Sequence, residues 1–223
     1  CGSLINSISN VILPRVTYLN HGKNKEEAKK LLYKTIRYAA IMAIAVTFGI
    51  FCIAEEFIPI FFGAGYEKSA ILLKILAVNV LMSVLANYLG QQCLISNRKQ
   101  KEYNIAITVG AVLNVIMNLL TVGRLQSVGI SISSAISGMV VFGIVLLYSK
   151  NLIRLKDILK MSWKAIVSGG IMTMIVYPIH YGNMPILELL IKITVGAFVY
   201  VIMLIILREE GILKVSETIK AKL

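Results

Sequence analysis

The chain has 223 residues, of which 57% are hydrophobic and 15% charged, and its mean hydropathy is +0.80. These values exclude an ordinary soluble domain and mark a membrane protein. The net charge of +12, from 23 basic and 11 acidic residues, needs no nucleic acid to explain it: retention of basic residues on the cytoplasmic side produces such an excess, and anionic lipid heads attract each surface basic group by about 1 kcal/mol. The basic segments also lack the interleaved aromatics of a nucleic-acid channel.

In chain order, residues 3–19 (SLINSISNVILPRVTYL) are apolar but short and interrupted by Pro14 and Arg15, so they read as the tail of a helix. The chain opens at Cys1 without a signal-peptide pattern or a lipobox, and is expected to be the back part of a longer protein. Residues 20–37 form a basic segment whose Lys/Glu alternation predicts a short amphipathic helix along the inner leaflet. Six apolar blocks follow, at 38–54, 70–96, 103–122, 125–149, 163–180 and 185–207, each read as a crossing of a hydrocarbon core about 30 Å thick. The expected organisation is therefore 1–19, the end of a truncated transmembrane helix; 20–37, a basic cytoplasmic loop; 38–207, a six-helix bundle; and 208–223, a cytoplasmic tail. The fold class is all-α, a polytopic transmembrane bundle.

Connections 20–37, 97–102, 150–164 and 208–223 hold 18 Lys and Arg, against two, Lys68 and Arg124, in 55–68, 123–127 and 181–184. The basic side is expected to be cytoplasmic, with the C-terminus inside a cytoplasmic membrane. A second amphipathic strut is expected at 150–164, with Leu152, Leu155, Ile158, Leu159 and Trp163 near one face.

The stretch GAGYEKS (63–69) resembles a phosphate-binding loop only in Lys68 and Ser69. Phe62 and Glu67 stand where G-x-x-x-x-G-K-[ST] needs glycines, and a carboxylate there repels phosphate. The stretch reads instead as an outer turn: Glu55 and Glu56 end the preceding span, FIPIFF lies in the interface, Gly63 and Gly65 permit the reversal, and Glu67 suits the positive end of the next helix.

Polar side chains within membrane spans are functional candidates by default. Asn79, Ser83, Asn87 and Gln91 recur at spacing four, and Asn114 and Asn118 repeat it. Interhelical hydrogen bonding and the lining of a hydrated cavity both fit this pattern. Lys74 either meets an anionic substrate or snorkels. The cavity candidates are thus Lys74, Asn79, Asn87, Gln91, Asn114 and Asn118. Glu188 and Lys192, four apart, are expected to neutralise each other. Gly129, Ser133 and Ser137, with Ser134 and Gly138, predict close helix packing. Cys1, Cys52 and Cys93, with His21 and His180, form no metal spacing and no nucleophile–base pair, so no catalytic residue, metal or cofactor is expected.

LPR (13–15) followed by a Lys-rich loop, FFGAGY (61–66), YLGQQCLISNRKQKEYN (88–104), NVIMN (114–118) and VGISISSAIS (128–137) together resemble flippases of the polysaccharide transport family, in the multidrug/oligosaccharidyl-lipid/polysaccharide superfamily. The resemblance covers nearly the whole chain and corresponds to the back part of such a protein, from the end of its eighth helix. It implies two six-helix lobes around a central cavity plus two C-terminal helices. The implied function is alternating access that turns a lipid-diphosphate-linked oligosaccharide across the cytoplasmic membrane for cell-surface polysaccharide synthesis. The implied partners are membrane lipids, the lipid-linked oligosaccharide and a first lobe on the same chain. In the related peptidoglycan-precursor flippases the last two helices border a lipid-tail groove, to which 163–207 would correspond. The segment TVGRLQSVG departs from the family in lacking the proline usual in that outer turn.

Two other readings remain open. A cation antiporter of the same superfamily would place an acid in the cavity, and Glu188 is the one acid expected within the spans. A non-transporting scaffold or inactive fragment would be complete without a first lobe.

Overall fold

The computed structural model describes residues 11–19, 25–63, 65–179 and 185–209, and among these the regular structure is helical throughout. The expectations for Cys1, His21, His180, 181–184 and 210–223 lie outside the described residues. A short helix α1 (residues 11–19) precedes α2 (Lys25–Phe62), α3 (Lys68–Leu89), α4 (Gln100–Ser149), α5 (Leu155–Val176) and α6 (Pro185–Ile206). The last five are each long and apolar enough to cross a membrane.

Five helices account for the six apolar blocks because α4 is folded in two. A straight helix of its 50 residues would run about 75 Å at about 1.5 Å per residue, far beyond a hydrocarbon core of about 30 Å. Gln126 breaks it, with φ 49° and ψ −131°. On either side of that residue the chain meets itself: Asn114 Nδ2 donates to Ser134 Oγ (3.3 Å) and Ser137 Oγ (3.2 Å), and Thr121 Oγ1 lies 3.2 Å from Ser133 Oγ. The two arms, 100–125 and 127–149, correspond to the blocks expected at 103–122 and 125–149, with the break at Gln126 falling just inside the second. Their connecting turn is a single non-helical residue, which accounts for a connection made without proline.

Two expected boundaries are corrected. The basic segment 20–37 does not form a separate surface helix, because its described part runs without interruption into the first span as the 38-residue α2. Leu32 and Ile36 of this segment are buried against Leu89, Leu94, Tyr103, Val145 and Ile158, so packing rather than a leaflet surface fixes it. Glu55 and Glu56 do not end the span either. Helix α2 continues through FIPIFF to Phe62, with Pro59 inside it. Only then does the chain reverse, at Gly63 (φ 85°) and Gly65 (φ 97°), where the left-handed backbone favours glycine. Glu67 accepts the Gly65 N–H at 3.0 Å, a bond that holds its carboxyl below the usual carboxylate range.

At its far end α3 widens into a π-turn (Gly90–Leu94) and closes in a 3-10 turn (Ile95–Asn97). The sequence SNRK makes the stop. Ser96 Oγ donates to the Gln92 carbonyl and Asn97 Nδ2 to that of Cys93, Arg98 takes a left-handed conformation, and Lys99 N–H returns to Leu94 O. These bonds satisfy carbonyls that a helix end leaves without partners. At the start of α5, the Asp157 carboxylate accepts the Arg154 N–H at 3.0 Å and caps that helix.

Helix α2 is the spine. Ala39 and Ala43 pack on Val84 and Tyr88 of α3, while Ile41, Ile44 and Cys52 pack on Ala165, Met172 and Val176 of α5 and on Tyr200 and Leu204 of α6. Lipid tails are as apolar as leucine, so contacts between spans depend on close fit and polar bonds rather than on escape from water. The close fits lie at glycines: Gly90 faces the Tyr103 ring, Gly110 faces Val141, and Gly169 faces Phe48. Leu119, Leu120, Met174 and Phe198 point outward. The expected strut at 150–164 is likewise redistributed, with Ile158 in the core and Leu155, Leu159 and Trp163 exposed.

Candidate functional site

The six polar candidates do not converge on one point. On α3, Asn79 accepts from Ser83 Oγ (3.3 Å) and lies against Gly138, where an added Cβ would come within 2.2 Å of its Oδ1. Two turns on, Asn87 Oδ1 accepts the Tyr103 hydroxyl at 2.9 Å. Both residues therefore join α3 to the α4 hairpin, one at each arm. Asn114 binds Ser134 and Ser137 across the hairpin, and its Oδ1 accepts from Asn118 Nδ2 at 3.0 Å. Gln91 sits in the π-turn.

Two of the six keep an unspent acceptor. The side-chain oxygens of Gln91 and Asn118 are buried and accept no hydrogen bond among the described residues. The wide turn explains why the spacing-four stripe fails at this end: it shifts the helical phase, so Gln92 is fully buried while Gln91 is only partly so.

Lys74 is the sixth, and it has a partner within the protein. Its Nζ lies 2.6 Å from Glu55 Oε1 and 5.9 Å from the centre of the Tyr177 ring. The reading in which it awaits an anion thus competes with a salt bridge made possible by the extension of α2 past Glu55. The same extension corrects the expectation that Glu188 is the one acid within the spans.

A denser charge cluster lies beside this pair. Lys192 Nζ is 3.0 Å from Glu188 Oε1, the expected i,i+4 partner, and also bonds to Glu56 Oε1 of α2. The side chains of Lys192, Glu188 and Glu56 are 1%, 6% and 11% exposed. One ammonium thus joins two carboxylates and ties α6 to α2. Just past the C-terminal end of α6, Glu209 is fully buried between Arg37 of α2, whose guanidinium donates to it, and Lys164 of α5, 3.9 Å away. Sequence reasoning missed Glu56 and the Glu209 group because their partners are 136 and 172 residues distant. The signal available was the presence of acids next to apolar runs, where an uncompensated charge is costly.

Among the described residues, no group of three His, Cys, Asp or Glu side chains is arranged to hold a metal. The site is therefore a set of polar helix–helix contacts within a membrane bundle, and known proteins of this design can be compared with it. A solved structure described as "Lipid II flippase MurJ, inward closed conformation" shares the fold, with a TM-score of 0.75 at 18% identity; the match covers 92% of this chain and 43% of that one. This chain thus spans less than half the length of that protein. No curated protein sequence matches it. The family described as lipid II flippase MurJ matches residues 1–184, a lipid-linked-substrate branch of the superfamily that the motifs resemble. With most of its length matched, the chain belongs to the MurJ family of lipid II flippases.

Proposed function

We propose that this chain is the greater part of the second lobe, with the two additional helices, of a flippase that moves a lipid-linked saccharide precursor across the cytoplasmic membrane by alternating access. The family match over residues 1–184 carries the reading. The architecture supports it: the α2–α4 bundle with two appended helices shares its fold with part of a longer solved flippase chain. The substrate class is a lipid-diphosphate-linked saccharide. Within that class the family's described substrate, lipid II, takes precedence over the polysaccharide-linked unit that the sequence motifs alone suggest.

Gln91 and Asn118 are the residues of this lobe proposed to meet the polar part of the substrate, because their carbonyl oxygens are unspent. Lys74, Asn79, Asn87 and Asn114 are assigned to holding the helices in register. The antiporter reading loses ground, since Glu55, Glu56 and Glu188 are each bonded to a lysine.

The test is reconstitution of the full-length protein in proteoliposomes carrying fluorescent lipid II or, separately, an undecaprenyl-diphosphate-linked oligosaccharide lacking the peptide. Movement of the first to the opposite leaflet, impaired by Gln91→Leu and Asn118→Leu, is the expected result. Movement of neither substrate by a folded protein would overturn the assignment.

A further inference from the structure

At the end of the bundle that carries the basic connections, five segments enclose a cavity of ≈ 310 Å³. Val16 comes from α1, Ala28, Lys29 and Leu32 from α2, Gln92 from the π-turn, Asn97 from the 3-10 turn, and Asn151 and Leu152 from the α4–α5 connection. None of the six polar candidates lines it.

Its lining is unusual in two respects. Every polar group is a lysine or a carboxamide, and no carboxylate is present, so the one formal charge is positive. Asp157, in the first turn of α5, is already engaged by the Tyr33 hydroxyl at 3.2 Å and the Arg154 N–H at 3.0 Å. Lys29 is held over the Tyr33 ring at 5.9 Å, a cation–π contact near the distance limit, which sets the direction of its stem. Asn97 is also fixed in advance. Its Nδ2 is committed to Cys93 O (2.7 Å) and Ser96 Oγ (3.3 Å), which leaves its carbonyl oxygen as the acceptor. The rest of the lining, Val16, Ala28, Leu32 and Leu152, is apolar.

A cation, a fixed carbonyl acceptor, further carboxamides and an apolar wall within one small cavity match one kind of molecule. The ammonium pairs with a phosphate as a point charge, the Asn97 carbonyl accepts from a hydroxyl, the Asn151 amide can serve either group, and the apolar lining receives a carbon backbone. Pockets that fix orientation with a few polar groups on an otherwise apolar lining are how small ligands are recognised. The π-turn supplies the irregular backbone that brings Gln92 and Asn97 to the same cavity, a use such turns often have. We infer that this cavity binds a glycerol phosphate group, as carried by the headgroup of an anionic phospholipid. The inference is independent of what the protein transports.

The full-length protein, purified in detergent, is titrated with phosphatidylglycerol, phosphatidylethanolamine and soluble glycerol 3-phosphate, and bound adducts are counted by native mass spectrometry. Phosphatidylglycerol is expected to bind at least tenfold more tightly than phosphatidylethanolamine. Lys29→Gln should lower that affinity about tenfold. Lys30→Gln, which removes the same charge outside the cavity, should leave it within twofold. Leu152→Trp, which fills the cavity without touching its charge, should abolish the preference while circular dichroism and melting remain as in the parent. Competition by glycerol 3-phosphate would show that the headgroup alone is read, and its failure to compete would show that the acyl-bearing lipid is required. Equal losses in Lys29→Gln and Lys30→Gln, or full binding by a folded Leu152→Trp variant, would overturn the assignment in favour of unspecific attraction to a basic surface.

Discussion

Replacing Lys192 by Met should be among the most damaging single changes available in α6. The ammonium is 1% exposed and is the shared partner of Glu188 and Glu56, whose side chains are 6% and 11% exposed. Without it, two buried carboxylates face each other across the α2–α6 contact. Breaking a buried pair by removing one partner costs roughly 3–5 kcal/mol, mostly because the remaining charge is uncompensated. At about 2–4 °C per kcal/mol for a chain of this size, the melting temperature should fall by about 6–20 °C. Glu188→Gln acts differently: it leaves one lysine facing one glutamate, and should cost less than about 1 kcal/mol by the same reasoning. The combination Lys192→Met, Glu56→Gln and Glu188→Gln removes every charge and should recover most of the loss, since neutral replacement of a buried ion cluster is often harmless. Thermal unfolding in one detergent, followed by tryptophan fluorescence from Trp163, would rank the three variants. A triple variant no more stable than Lys192→Met would refute the argument, because the damage would then come from lost packing rather than from orphaned charge.

The glycine contacts should divide by what they face. Gly169→Ala places a Cβ 2.4 Å from the Phe48 ring and should destabilise by about 1–3 kcal/mol through overpacking, whereas Gly138→Ala meets the movable end of Asn79 and should cost well under half as much in the same melting assay. Asn114→Leu removes the bonds to Ser134, Ser137 and Asn118. At about 0.6 kcal/mol per intramembrane bond, it should cost about 1–2 kcal/mol, and less in a Ser134→Ala/Ser137→Ala background. With Cys1, Cys52 and Cys93 replaced by serine, a membrane-impermeant maleimide should label Tyr66→Cys on intact cells but Lys30→Cys only after permeabilisation; labelling of Lys30→Cys from outside would reverse the orientation.

The spans were legible because hydropathy and length are local quantities. Each of the six apolar blocks is helical over most of its described residues, and the FFGAGY reversal falls at Gly63 and Gly65. Local signals failed where continuity depended on distant packing. Nothing in KNKEEAKKLLYK shows that Leu32 and Ile36 are covered by residues more than fifty positions away, so a helix that continues looked like one that ends. Glu55 and Glu56 looked like a stop because the lysines that make them tolerable, Lys74 and Lys192, come from α3 and α6. Asn79 and Asn87 both contact the α4 hairpin, but the phase of the stripe was lost at the π-turn, and with it Gln92. The cavity at Lys29 was invisible for the same reason: it is assembled from five segments, none of which carries a motif.

These long-range ties also bear on how the last two helices move. Helix α6 is bound to α2 at three levels: Lys192 to Glu56 near one end, the Tyr200 hydroxyl to the Ile41 carbonyl at 2.8 Å in the middle, and Glu209 to Arg37 at the other end. Two of the three are buried charge contacts, whose rupture leaves unpaired charge in a poorly solvated site. Sliding by one helical turn would break all three together, with no alternative partner one turn away on α2 for either carboxylate contact: four residues on, Arg37 and Glu56 are replaced by Ile41 and Ile60, and four residues back by Tyr33 and Cys52. Helix α5 joins the same unit through Lys164, which donates to the Arg208 carbonyl at 2.9 Å as well as facing Glu209. On the proposed alternating-access reading, the moving boundary is expected to lie elsewhere than in these α2–α5–α6 contacts. A lipid tail lying along α5 and α6 would be guided by a wall fixed to the α2 spine, carried with the lobe rather than opening and closing against it.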